Sequence, residues 1–96
     1  MSDAQNHFEF TGAIFKDGKR FSALCPDLDV ASQGRTAGEA KKMLAEAVTL
    51  YLETCFEDGI PHLRPVPPEE DPRRHRTDDL VELFPLKVSF QVRTFV

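Results

Sequence analysis

The stretch from Thr36 to Pro61, TAGEAKKMLAEAVTLYLETCFEDGIP, leaves this chain the least freedom in how it folds. Thr36 and Glu39 form a T-x-x-E capping box, in which the hydroxyl accepts from a first-turn amide while the carboxylate reaches back to the cap amide. Ala40, Met43, Leu44, Ala47, Val48, Tyr51, Leu52 and Cys55 then recur at three-and-four spacing, with Lys41, Lys42, Glu46, Thr49 and Glu53 opposite, which predicts one amphipathic helix. Gly59 suits the left-handed stop, Ile60 can fold back on the last turn, and Pro61 cannot continue the helix. Leu50 and Phe56 widen the apolar stripe and predict contacts on two sides.

A single buried stripe needs a sheet to cover it, and the residues before the helix supply strands. HFEFTGAIF and RFSALC flank KDGK, where Asp17-Gly18 is a two-residue hairpin signal. Setting Lys16 opposite Lys19 pairs Ile14 with Phe21, Gly12 with Ala23 and Phe10 with Cys25, all on one apolar face. The other face, with Glu9, Thr11, Ala13, Phe15, Arg20, Ser22 and Leu24, is mixed and is expected to tolerate solvent. Pro26 to Asp29 reads as a turn, Val30 to Gln33 as a short third strand, and the polar residues 1–6 as frayed.

After Pro61 the texture changes. HLRPVPPEEDPRRHRTDD carries prolines and mixed charge without apolar periodicity, and reads as a semi-extended linker. In the last segment Leu86, Val88, Phe90, Val92 and Val96 alternate with Lys87, Ser89, Gln91 and Arg93, the period of a half-buried strand. Such a strand outruns an eight-residue hairpin strand, so it is expected to add to a sheet edge, its own or a second subunit's. The expected fold is therefore α+β, a three- to four-stranded antiparallel sheet on one main helix in the order β-β-β-α-β. Residues 1–60 form the domain, 61–79 the linker and 80–96 the terminal strand segment.

Charge narrows the partners. Residues 1–60 hold six Lys or Arg against ten Asp or Glu, whereas residues 61–96 hold six of each. An acidic domain repels nucleic acid phosphates and favours a basic protein, because complementary charge speeds encounter and excludes wrong partners. No apolar run approaches the roughly 20 residues needed to span a bilayer, and MSDAQNHFEF has neither a basic nor a hydrophobic signal region. The expectation is a cytoplasmic protein without membrane contact.

The run from Phe10 to Pro61 resembles the HicB family of bacterial antitoxins. The marks are a hairpin, the turn Pro26-Asp27-Leu28, a strand ending in Ser32-Gln33-Gly34, the helix start Thr36 to Ala40, and the close Gly59-Ile60-Pro61. The family usually continues P-D-L-P-G-C, whereas Asp29, Val30 and Ala31 follow Leu28 here. The resemblance implies a partial ribonuclease-H-like fold without ribonuclease activity that masks a small, basic, RNA-cleaving toxin of HicA type. Many members add a helix-turn-helix or ribbon-helix-helix domain; nothing after Gly59 supplies its two helices, so direct DNA binding is not expected. The other reading is a solitary HicB-like module that oligomerises and has no toxin.

Catalysis and cofactors are not expected. Asp27 and Asp29 are the closest carboxylate pair, and their spacing is explained by turn chemistry. His7, His62 and His75 are scattered, and Cys25 and Cys55 stand apart without C-x-x-C spacing and read as buried thiols, so no metal site is expected. For contact, Asp27, Asp29, Glu69, Glu70 and Asp71 are the candidates to meet the toxin. Arg73, Arg74 and Arg76 form a basic cluster balanced by the neighbouring acids. Leu86, Val88, Phe90 and Val92 are the candidate interface of a homodimer or higher oligomer.

Overall fold

The computed structural model describes residues 3–93, with side chains from 7 to 90. Its elements are β1 (Asp3–Asp17), β2 (Arg20–Cys25), β3 (Val30–Gly34), α1 (Ala37–Asp58), a 3-10 turn (Pro68–Glu70), α2 (Pro72–His75) and β4 (Leu80–Arg93). They build one antiparallel sheet in the order β3-β2-β1-β4, with α1 on one face. This is the expected α+β architecture in its four-stranded form. No helix among the described residues is long and apolar enough to cross a membrane.

The hairpin loop is Gly18-Lys19, not Asp17-Gly18. Asp17 pairs with Arg20, Lys16 with Phe21, and Ile14 with Ala23. Gly18, at φ +65°, takes the backbone state that a side chain disfavours. The register therefore differs by two residues from the expected one, which leaves every side chain on its expected face because the strand period is two.

Helix α1 begins and ends where its sequence dictates, although the Glu39 carboxylate reaches past the expected cap amide of Thr36 to that of Arg35. The Glu39 amide donates to Thr36 Oγ1 at 3.0 Å, and the Arg35 amide, one residue before the cap, donates to Glu39 Oε1 at 3.0 Å. Gly59 sits at φ 66°, and the Ile60 amide donates to the Cys55 carbonyl at 2.8 Å. Ala40, Leu44, Val48, Leu52 and Cys55 are buried, whereas Met43, expected in the stripe, is exposed. The buried arc is narrower than the apolar sequence because only one side of the helix lies against the sheet. Leu50 is exposed, whereas the Phe56 ring, 40% exposed, stands 5.8 Å from those of Phe8 and Phe90 and 5.4 Å from that of His62, so α1 touches the segment that follows it as well as the sheet.

Beneath α1 lie Ile14, Ala23, Cys25 and the turn residue Leu28, together with Leu86, Val88 and Phe90 of β4. The last three are core residues of their own chain. Their apolar face is satisfied within the chain, which corrects the reading of that face as a subunit interface; the side chain of Val92 lies outside the described residues. Two glycines admit close approaches here. A Cβ on Gly12 would stand 2.2 Å from the Phe84 ring, and one on Gly34 would stand 2.4 Å from the Ala40 amide nitrogen. Gly34 thus sets how closely the helix start seats on β3.

The largest departure from expectation is the second sheet face. Ala13, Phe15 and Leu24, expected to face solvent, are buried beside Val66 and Leu80 as a second core. The segment 61–79 covers them. It leaves α1 on the helix side, where Tyr51 Oη donates to the His62 carbonyl at 2.7 Å, and turns round the edge of β1 beyond the end of β2. There the Arg64 amide donates to the Asp27 carbonyl at 3.2 Å and the Val66 amide to the Pro26 carbonyl at 2.9 Å. It then retraces the sheet to the hairpin end, where the Lys16 amide donates to the Asp79 carbonyl at 2.8 Å. Because the segment returns the chain to that end, β4 enters antiparallel to β1.

That ladder runs from Asp3↔Arg93 to Phe15↔Leu80 with an irregularity at Ile14/Phe15. Residues 3–6, read as frayed, are strand. The sequence Asp-Ala-Gln-Asn carries no apolar alternation, and the backbone ladder to β4 makes the strand without it.

Candidate functional site

The turn that carries the resemblance is a junction. Pro26, Asp27 and Leu28 follow the end of β2, and the Leu28 amide donates to the Cys25 carbonyl at 3.2 Å. Leu28 is fully buried under α1. Asp27 Oδ2 accepts from the Thr11 amide at 3.0 Å, standing where a longer β2 would have placed a carbonyl. Asp29 takes φ 53°, a left-handed state that aspartate tolerates better than most residues. Arg64 clamps the turn: its Nε donates to the Leu28 carbonyl at 3.2 Å and its Nη2 to the Asp29 carbonyl at 3.3 Å, while its guanidinium lies 5.0 Å from the centre of the Tyr51 ring.

The five candidate acids are not alike. Asp71 is buried, caps α2 by accepting from the Arg73 amide at 2.9 Å, and meets the Arg73 guanidinium at 2.7 Å. That guanidinium holds the Asp71 carboxyl below the usual aspartate range against the opposing effect of burial. Asp27 is committed to Thr11. Asp29, Glu69 and Glu70 remain exposed. Of the basic cluster, Arg73 serves Asp71, and Arg76 bonds Asp79 at 3.2 Å and lies 5.4 Å from the centre of the Phe15 ring; Arg74 is exposed. Sequence reasoning weighed these charges one by one and missed that the segment carrying them is folded against the sheet. The signal available was Val66, a lone apolar residue among prolines.

Cys25 is fully buried, and its thiol is pushed up to about 11, chiefly by burial and further by the Asp27 carboxylate. Among the described residues no three His, Cys, Asp or Glu side chains are placed to hold a metal ion together. His62 joins an aromatic group with Phe8 and Phe56, edge-on to the first at 5.7 Å and tilted on the second at 5.4 Å between ring centres.

Two open grooves border this framework. One, of about 660 Å³, lies on the second face between the segment 61–79 and β4, lined by Glu9, Thr11, Asp27, Leu63, Leu83 and Pro85. Leu63 and Leu83 are 64% and 54% exposed there. The other, of about 540 Å³, runs between α1 and β4 and is lined by Glu46, Thr49, Leu50, Glu53, Lys87 and Ser89, with Ala45 and Val88 at its floor. Sequence reasoning named neither. What these grooves can offer is contact: apolar surface, strand backbone and carboxylates.

Compared with known proteins, the chain matches no family model, no curated protein and no solved structure. The class that its own fold defines is an α+β domain with one main helix on a four-stranded antiparallel sheet.

Proposed function

We propose that this chain is a HicB-like antitoxin that neutralises a small, basic, HicA-type ribonuclease by stoichiometric binding. The observation that supports this most is what the residues of the resemblance do in the fold. Leu28 plugs the core, Asp27 ends the β1–β2 ladder at Thr11, Gly34 admits the helix, Thr36 and Glu39 cap it, and Gly59 closes it. Residues that share a motif because they hold one particular fold at its joints are a better warrant for the family than any of them singly. The acidic surface suits the basic partner, with Asp29, Glu69 and Glu70 exposed to steer its approach.

Occlusion needs no chemistry from the antitoxin, only tight coverage of the toxin's RNA-binding surface. The test is co-purification of the tagged chain from its native cells, followed by an RNA cleavage assay with the recovered basic protein. Suppression complete at an equimolar ratio is the expected result. Cleavage that continues with the chain in excess would overturn the proposal.

A further inference from the structure

Among the described residues the outer edge of β4 is a strand edge without a strand: in the sheet order β4 is terminal, and its one described strand partner is β1. The Thr11 amide points toward the β2 side, so the odd-numbered residues of β1 direct their amides and carbonyls there and the even-numbered ones toward β4. Phe10 pairs with Leu86 and Phe8 with Val88. Leu86 and Val88 therefore face inward, whereas Leu83, Pro85, Lys87 and Ser89 present their backbone outward. Pro85, which has no amide to offer, stands at an outward position, the one place a strand interior accepts proline.

This edge is not bare backbone alone. Beside it, on the helix side, lies the groove whose far wall is α1, with the Leu50 side chain 66% exposed and the carboxylates of Glu46 and Glu53 on its rim. A strand added to β4 would place one row of side chains in that groove. Long aliphatic stems would lie along Leu50 and Thr49, with cationic heads reaching Glu46 and Glu53. A second copy of this chain suits the place less well, because pairing about a two-fold axis at Lys87 sets Lys87 against itself and brings two acidic helix flanks together.

We propose that the β4 edge and the flank of α1 together receive an extended segment of a basic protein, with Lys or Arg at alternate positions, as an added strand. This rests on the antitoxin reading for the identity of the partner and on nothing but the edge and groove for the mode of binding. Main-chain bonds to Leu83, Lys87 and Ser89 supply affinity, and the alternate cations supply selectivity.

The probe is a labelled synthetic peptide of about ten residues, enough to span the edge at about 3.3 Å per residue, in which Lys alternates with Val. A control peptide carries Glu in place of Lys. Expected are binding of the Lys peptide alone by fluorescence anisotropy and new hydrogen-exchange protection at the Lys87 and Ser89 amides. An affinity loss of about tenfold or more is expected in the Glu46→Lys, Glu53→Lys double variant. Ser89→Pro, which removes an outward amide without touching the β1 ladder, should weaken binding similarly while the melting temperature stays near that of the parent. Equal binding of both peptides, no binding of either, or indifference to both variants would overturn the proposal. So would Lys87 and Ser89 amides already protected in the free chain at dimeric mass, which would give the edge to a second copy. Neutralisation of the ribonuclease by the edge variants at full strength would sink this inference and leave the antitoxin reading standing; peptide binding by a chain that inhibits no ribonuclease would do the reverse.

Discussion

Phe15→Ala distinguishes a sheet with one buried face from a sheet with two. The ring is 1% exposed between Ala13, Leu24, Val66 and Leu80, with Arg76 over it. Truncating a fully buried phenylalanine costs about 3–5 kcal/mol, as transfer free energy plus the cavity left behind. A domain of this length has about 5–15 kcal/mol in total, so the variant should stay folded but with much of its margin gone. In urea, with a slope of about 2 kcal/mol per molar, the midpoint should fall by about 1.5–2.5 M. Circular dichroism can follow the transition, since the chain has no tryptophan and Tyr51 is its one tyrosine. Val66→Ala, on the covering segment, should cost about 1 kcal/mol from its half-buried methyl groups. A loss under about 0.5 kcal/mol for Phe15→Ala, the range of surface substitutions, would show that the segment 61–79 does not shield the second face and would refute the packing described here.

Three further outcomes are expected. Gly34→Ala should destabilise by about 1–3 kcal/mol because its Cβ would strike backbone at Ala40, whereas Gly38→Ala, whose Cβ would meet only Thr36 Oγ1 at 4.0 Å, should raise the melting temperature slightly. Asp71 has its carboxyl held low by Arg73 in the folded state, so it contributes stability above its unfolded value of about 3.9 that fades as pH falls below that value. Asp71→Asn should therefore lower stability at neutral pH and flatten the acid limb of a stability-against-pH curve, and an unchanged limb would contradict the pairing. Cys25, buried with its thiol raised to about 11, should resist thiol-specific labelling at pH 8 until the chain is unfolded in denaturant, and rapid labelling of Cys25 in the native protein would mean that the core under Leu28 is open.

Local chemistry was legible in the sequence where it decides structure by itself. The capping box at Thr36, the stop at Gly59 and the apolar row of Ile14, Ala23 and Cys25 needed no distant partner to be read. The hairpin register came out two residues away, because Gly18 serves the loop as well in its first position as in its second. What escaped was the long-range part. Residues 3–6 are strand because β4 pairs with them, and Phe15 is buried because a proline-rich segment, which brings Val66 against it, lies across it. The acids at 27 and 71 looked free until Thr11 and Arg73 were found beside them. Neither groove was visible, since each is made by elements far apart in the chain.

The path of the segment 61–79 also orders events in time. The neighbour that β1 meets early, β2, pairs only from Ala13 to Asp17, while the neighbour it meets last, β4, pairs from Asp3 to Phe15. Closing that second ladder joins the two ends of the described chain, the slowest kind of contact to find because the intervening loop must be ordered first. The hairpin, β3 and α1 can assemble from short-range contacts, and β4 zips on only once the chain has rounded the edge and come back. Refolding should accordingly show helix signal before protection of the β1 amides that face β4, and a substitution such as Val88→Ala should act more on the rate of unfolding than on the rate of folding.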